Sequence, residues 1–366
     1  MPPDGPDPHY GGVEWTMPEA RLDDALTEAQ NQHAAAVALC RERRYAAAEP
    51  SARAAWALVQ GHLDGTPEAV AVLGHTYATV LDRLGRLVQA ETIHRHAVAA
   101  AEEVRITSQL TLPLVGALRG LAVNLRSQER FDDADAPLRR AIALAEISPD
   151  VGDAESVGLL RELGTLYRQA GRLAESEAAY RRVRVQIETR LGLDHPEAAD
   201  LYHQLALLEQ TRGRHDVGEG YARRALEIRM ATSGPNYPDV VADGAVLGSL
   251  LVAEGRYEEA EPLLRHALET FESTAGPDSP VIAFVADRLG SLLAAAAAGR
   301  PDEAIELYRR ALRIKEAALG EAHPALTTTM HNLAVVCDGN GRADEARELW
   351  ARAMTLLSRD EGVAEA

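Results

Sequence analysis

A two-residue mark, Gly-Arg or a near relative, returns every 42 or 44 residues along almost the whole chain. The series is Arg43-Arg44, Gly85-Arg86, Glu129-Arg130, Gly171-Arg172, Gly213-Arg214, Gly255-Arg256, Gly299-Arg300 and Gly341-Arg342. Periods of 20–50 residues belong to solenoids, in which one supersecondary unit stacks on the next and a single core runs along the stack. A length of 366 residues then need not be divided into separate globular domains. The apolar residues are mainly Ala, Leu and Val, with only 4% aromatics, a mixture that suits helices better than sheets.

From about residue 24 to residue 357 each repeat reads as helix A, tight turn, helix B and short loop. In the fifth repeat Pro196 opens helix A, whose apolar positions Leu201, Leu205 and Leu208 recur at helical spacing. Gly213 ends it, and helix B presents Tyr221, Ala225 and Ile228 on one face before Gly234 closes it. Small residues recur in register. Seven before the turn glycine, or nine in the seventh repeat, stand Ala36, Ala78, Ala122, Gly164, Ala206, Gly248, Gly290 and Ala334. Five after it stand Ala48, Ala90, Ala134, Ser176, Gly218, Ala260, Ala304 and Ala346. Small side chains at both places predict a close crossing of helix A and helix B. Two residues are inserted within Leu292–Gly299, and the alanine run there predicts a seventh helix A longer by about half a turn.

This pattern resembles the tetratricopeptide repeat, and its period and linkers look like the kinesin light chain type. The linkers that carry the likeness run from Gly192 to His195-Pro196, Gly234 to Tyr237-Pro238, Gly276 to Ser279-Pro280 and Gly320 to His323-Pro324. The resemblance implies an all-α, right-handed superhelical solenoid of about eight helix-turn-helix repeats, with one face of helix A lining a concave groove. Kinesin light chain repeats also hold a peptide backbone through an Asn near that groove position. Only Asn332, and less closely Gln204, match it here, so a kinesin-like cargo mode is not implied.

Residues 1–20, rich in Pro and Gly, read as a disordered tail, residues 21–357 as the solenoid and residues 358–366 as a short polar tail. Within the first tail, Val13-Glu14-Trp15-Thr16 offers two readings: an apolar staple on the first helix, which is favoured, or a segment lying in the chain's own groove. The formal charge of -18 argues against nucleic acid or an anionic membrane as a partner. Lys315 is the sole lysine among 38 basic residues, which reads as the codon bias of a high-GC bacterium. Cys40 and Cys337 lie at opposite ends, no stretch is long enough to span a bilayer, and the start lacks a signal-peptide pattern; a cytoplasmic setting follows.

No phosphate-binding loop, His-Glu-x-x-His segment or nucleophile elbow occurs. His94 and His96 point to opposite sides of a helix and make poor metal co-ligands. His195 and His323 precede helix-opening prolines and read as caps. The expectation is therefore a chain without catalysis, cofactor or metal. Ten residues before the turn, allowing for the insertion, come His33, His75, Arg119, Arg161, His203, Ala245, Asp287 and His331. Seven further along in repeats two to five come Asp82, Arg126, Arg168 and Gln210, on the same helical face.

Repeats three and four thus place Arg119, Arg126, Arg161 and Arg168 together, flanked by His75 and His203. Guanidinium forks suit carboxylates, so these six residues are expected to bind an acidic peptide or partner segment. The competing reading pairs each arginine with a glutamate on a neighbouring helix, Glu162 first among them. The function expected is a protein-interaction module serving as adaptor, regulator or assembly subunit. A sensor whose pitch responds to a peptide or small ligand is the alternative. The end of the last helix B, near Trp350 and Leu357, offers a surface for a homodimer or a partner.

Overall fold

A computed structural model describes residues 20–42, 44–62, 67–108, 111–235, 237–296 and 299–364; the tail containing Trp15 lies outside them. Sixteen α-helices are found among the described residues. They are α1 (Ala20–Arg41), α2 (Tyr45–His62), α3 (Pro67–Arg83), α4 (Leu87–Ser108), α5 (Leu112–Ser127), α6 (Phe131–Ile147), α7 (Asp153–Gln169) and α8 (Leu173–Arg190). The series continues with α9 (Pro196–Thr211), α10 (His215–Ser233), α11 (Pro238–Ala253), α12 (Tyr257–Ala275), α13 (Pro280–Ala295), α14 (Pro301–Leu319), α15 (Thr327–Gly339) and α16 (Ala343–Ala364). Odd-numbered helices are the A helices and even-numbered ones the B helices of eight helix-turn-helix repeats. None of the described helices is long and apolar enough to cross a membrane.

The chain forms two compact units, Met1–Gln186 and Ile187–Ala366. Within the first, A helices α1, α3, α5 and α7 touch in succession; within the second, α9, α11, α13 and α15 do the same. B helices meet the following A helix instead. The A helices therefore form the inner row of each unit. In the second unit a continuous buried cluster links residues from Ala206 to Leu356. At its far end Trp350 is half-buried against that cluster, whereas Met354 and Leu357 are exposed.

The small residues sit where the helices cross. A Cβ on Gly164 would stand 2.4 Å from Cε1 of the buried Tyr180, and one on Gly248 would stand 2.9 Å from Leu264 Cγ. Ser176 Oγ, on α8, donates to the Gly164 carbonyl at 2.7 Å. Close approach thus leaves room for a hydroxyl only where it finds an acceptor.

The recurring mark closes each A helix. Gly85, Gly171, Gly213, Gly255 and Gly341 have φ between 72° and 76°, a conformation that glycine adopts without steric penalty. The next arginine's N–H then donates to the carbonyl five residues back: Arg86 to Leu81, Arg172 to Tyr167, Arg256 to Leu251. Glu129 performs the same turn at φ 60° with a side chain attached, which strains the backbone.

The seventh repeat departs from the expected longer helix. Helix α13 spans 16 residues, as do α9 and α11, and Ala296 is extended at φ -62°, ψ 143°. The Arg300 N–H donates to Leu293, the counterpart of Leu251 one repeat earlier. The closing acceptor is thus retained, and the two extra residues fall into the turn. The helix ends two residues after the buried Leu293, although alanine favours a longer helix.

The arginine of the mark also reaches the preceding repeat. Arg130 meets Glu91 at 2.8 Å, Arg256 meets Glu219 at 2.8 Å and Arg300 meets Glu261 at 2.6 Å. Each of these acids also binds the arginine four residues ahead on its own helix: Arg95, Arg223 and Arg265. One carboxylate thus ties a B helix to the next turn. Arg214 turns instead to Glu209 of its own repeat.

Candidate functional site

The inner row of the first unit carries a cleft of about 290 Å³ between α3, α5 and α7. Helix α3 contributes His75, Thr79, Asp82 and Arg83, helix α5 contributes Arg119 and Arg126, and α7 contributes Glu162. Three of the sequence-derived candidates, His75, Arg119 and Arg126, therefore share one wall. Arg161 and Arg168, on α7, are half-buried and lie outside this lining. Arg168 stands beside the Tyr180 hydroxyl; burial pushes that phenol up, and Thr165 and Arg168 act against the rise. His203 belongs to the second unit, where its Nδ1 lies 2.6 Å from Asp243 Oδ1.

Two of the arginines both line the cleft and pair with a carboxylate on a neighbouring helix. Arg119 Nη1 is 3.3 Å from Glu155 Oε2, and Arg126 Nη2 is 3.5 Å from Glu162 Oε2, while both side chains still line the cleft. These contacts are longer than the roughly 2.7–2.9 Å of strong charge-assisted bonds. Arg126 Nη1 also donates to Gln169 Oε1 at 2.9 Å, but Arg126 Nε is buried without a hydrogen-bond partner. The acids orient both forks, and for Arg126 they leave one donor unused.

A polar network lies under the wall. Asp82 Oδ1 accepts from Asn124 Nδ2 at 2.6 Å, and Asp82 Oδ2 lies 2.8 Å from Nε2 of the fully buried His94. The His75 and His94 rings are 5.8 Å apart. A Cβ on Gly120 would come within 2.6 Å of His94 Cε1 and 2.9 Å of His75. His96 is exposed, so the two histidines of α4 do face opposite ways. His195 and His323 accept from the N–H groups of Glu197 and Ala325 and act as helix caps.

Sequence reasoning placed Asp82 on the groove face but missed Arg83, Gly116, Gly120, Asn124 and the acid Glu155. One signal was available: Gly116 and Gly120 stand four apart inside a helix, where no turn calls for glycine. The second unit has its own buried carboxylate, Asp243, which accepts from Arg229 at 2.7 and 2.8 Å. Lys315 binds Asp287, which also accepts from Thr329 at 2.9 Å.

A family model described as tetratricopeptide repeat matches residues 155–231, 239–316 and 293–359. No curated protein matches the chain. Among solved structures, the chain is similar to the apo form of the quorum sensor NprR from B. thuringiensis, at 11% identity and a TM-score of 0.67. That match covers 93% of this chain and 89% of that one. It is also similar to a Rap protein complexed with competence and sporulation factor, at 14% identity and a TM-score of 0.54, covering 92% and 98%. A putative kinesin light chain from Podosopora anserina is 24% identical over 56% of this chain and 96% of its own, with a TM-score of 0.44. At these identities the likeness concerns the fold.

Proposed function

Since the chain belongs to the tetratricopeptide repeat family, we propose that it is a non-catalytic interaction module whose first unit captures an acidic segment of a partner protein. The cleft on the inner row carries this reading. Arg83, Arg119 and Arg126 face Asp82 and Glu162 there, leaving an excess of positive charge in a protein whose formal charge is -18. A recessed basic wall focuses positive potential and favours acidic segments over neutral or basic ones. Arg161 and Arg168 extend the basic character along α7, and His203 offers an oriented imidazole in the second unit.

The test is titration of a fluorescein-labelled hexaglutamate peptide against the full chain. Arg119→Glu combined with Arg126→Glu is expected to weaken binding by about 1.5–3 kcal/mol, as loss of hydrogen bonds to charged groups does. Circular dichroism reports whether the variant keeps its helices. Equal affinity of a folded double variant and the parent would remove the cleft from the reading.

A further inference from the structure

We propose that the group seated in this cleft is the phosphate of a phosphorylated serine or threonine on the partner, rather than a carboxylate. The inference rests on the acidic-segment reading and narrows its ligand.

Two glycines stand in the cleft lining, and the His94 and His75 rings pack against the second, Gly120. Gly116 and Gly120 lie one turn apart on α5, and both line the cleft. Glycine inside a helix costs ~1 kcal/mol relative to alanine, and neither position is a turn. In register with Gly116 the other repeats include Val72, Gly158, Asp200, Ala242 and Thr328; in register with Gly120 they include Thr76, Glu162, Gln204 and Val246. Only the third repeat has glycine at both. On α7, a Cβ on Gly158 would stand 3.9 Å from the Arg119 guanidinium carbon, so that fork lies close over bare backbone.

The cations approach from different directions. Arg83 comes from α3, while Arg119 and Arg126 come from α5 two turns apart. A carboxylate is planar and is satisfied by one fork. A phosphate monoester carries up to two charges and three acceptor oxygens spread over a tetrahedron, which matches donors arriving from several sides. His75 supplies a further ring on the same wall.

The carboxylates nearby are already engaged. Asp82 has one oxygen on Asn124 and the other on His94. Glu155 and Glu162 hold Arg119 and Arg126 loosely, at 3.3 and 3.5 Å. Contacts of that length can give way to a more highly charged acceptor.

The experiment uses fluorescence anisotropy of a fluorescein-labelled Gly-Ala-Gly-Ser-Gly-Ala-Gly peptide with the full chain. The serine is phosphorylated, unmodified or replaced by glutamate, and orthophosphate is a separate competitor. The phosphopeptide is expected to bind at least ~10-fold tighter than the glutamate peptide, a difference of ~1.4 kcal/mol. Gly116→Val, which adds a branched side chain to the cleft lining, and Arg83→Gln, at its rim, are each expected to remove most of that preference. Arg83→Gln is the arm to read if Gly116→Val loses its helices. Equal binding of the glutamate and phosphoserine peptides would overturn the phosphate assignment and leave the acidic-segment reading standing. Binding of neither would overturn both. Orthophosphate alone binding as tightly as the phosphopeptide would mean a free-anion site and would overturn docking of a partner.

Discussion

Replacing Glu91 with glutamine tests how the repeats are held to one another. Glu91 Oε1 accepts from Arg95 at 2.8 Å, and Oε2 accepts from Gln128 at 3.0 Å and Arg130 at 2.8 Å. The Glu91 side chain is only 15% exposed, but its arginine partners are 54% and 40% exposed. Solvent therefore screens both ion pairs. The same-helix pair with Arg95 is worth ~0.3–0.5 kcal/mol, and the inter-repeat pair with the solvent-open Arg130 adds little energy of its own. The bond from Gln128 to a charged acceptor adds ~1 kcal/mol. Glutamine keeps one acceptor, so Glu91→Gln is expected to lose ~1–1.5 kcal/mol.

The pH dependence has a defined sign. Burial disfavours the charged form of Glu91, but the bonds from Arg95, Gln128 and Arg130 outweigh it and hold the carboxyl down to about 2. A folded-state value below the unfolded one gives stability that is complete above the unfolded value, ~4.3. That stability is lost as pH falls toward about 2. The difference between parent and variant should be full at pH 7 and close to zero at pH 2. Urea unfolding supplies the energies, because guanidinium salt would screen the pairs. Stacked repeats do not melt as one body, so hydrogen exchange of the Arg126–Arg130 turn supplies the local readout. Equal exchange in both proteins, or a difference that persists unchanged to pH 2, would refute the carboxylate as the inter-repeat tie.

Three further outcomes follow from the packing. Glu129→Gly relieves a side chain held at φ 60° and should raise stability by ~1 kcal/mol in urea titration. Gly164→Val places its first side-chain carbon 2.4 Å from the Tyr180 ring and should cost ~1–3 kcal/mol, read as an earlier loss of helical circular dichroism. Asp243→Ala removes the fully buried carboxylate that binds Arg229, leaving Asp200 and the more distant Asp239 beside it, and should cost ~3 kcal/mol in the second unit, read by hydrogen exchange of α10 and α11.

The repeat architecture was legible because its determinants are local and periodic. A turn glycine, the arginine after it and small residues at two fixed offsets recur whatever lies between them. The seventh turn was misread because alanine's preference for helix is also local, whereas the helix ends two residues after the buried Leu293. The tie through Glu91 was not legible, although acids recur in register at Glu49, Asp135, Glu219 and Glu261. Their arginine partners stand a whole repeat away, and only stacking brings them into reach. In the cleft, the register grouped Arg119 and Arg126 and offered Glu162 as an internal partner, which Arg126 meets, but it did not reveal Glu155 beside Arg119. It also concealed Asn124 and His94, which lie beneath Asp82 and present nothing to the groove.

The seventh turn separates chain length from stacking phase. Two residues were added there without lengthening α13, and Arg300 still reaches Glu261 across the boundary. Such a joint is a permissive site for enlargement: a recognition loop, an epitope or a reporter grafted between α13 and α14 leaves the neighbouring helices in register. The same number of residues placed inside an A helix would rotate every side chain beyond it by more than half a turn.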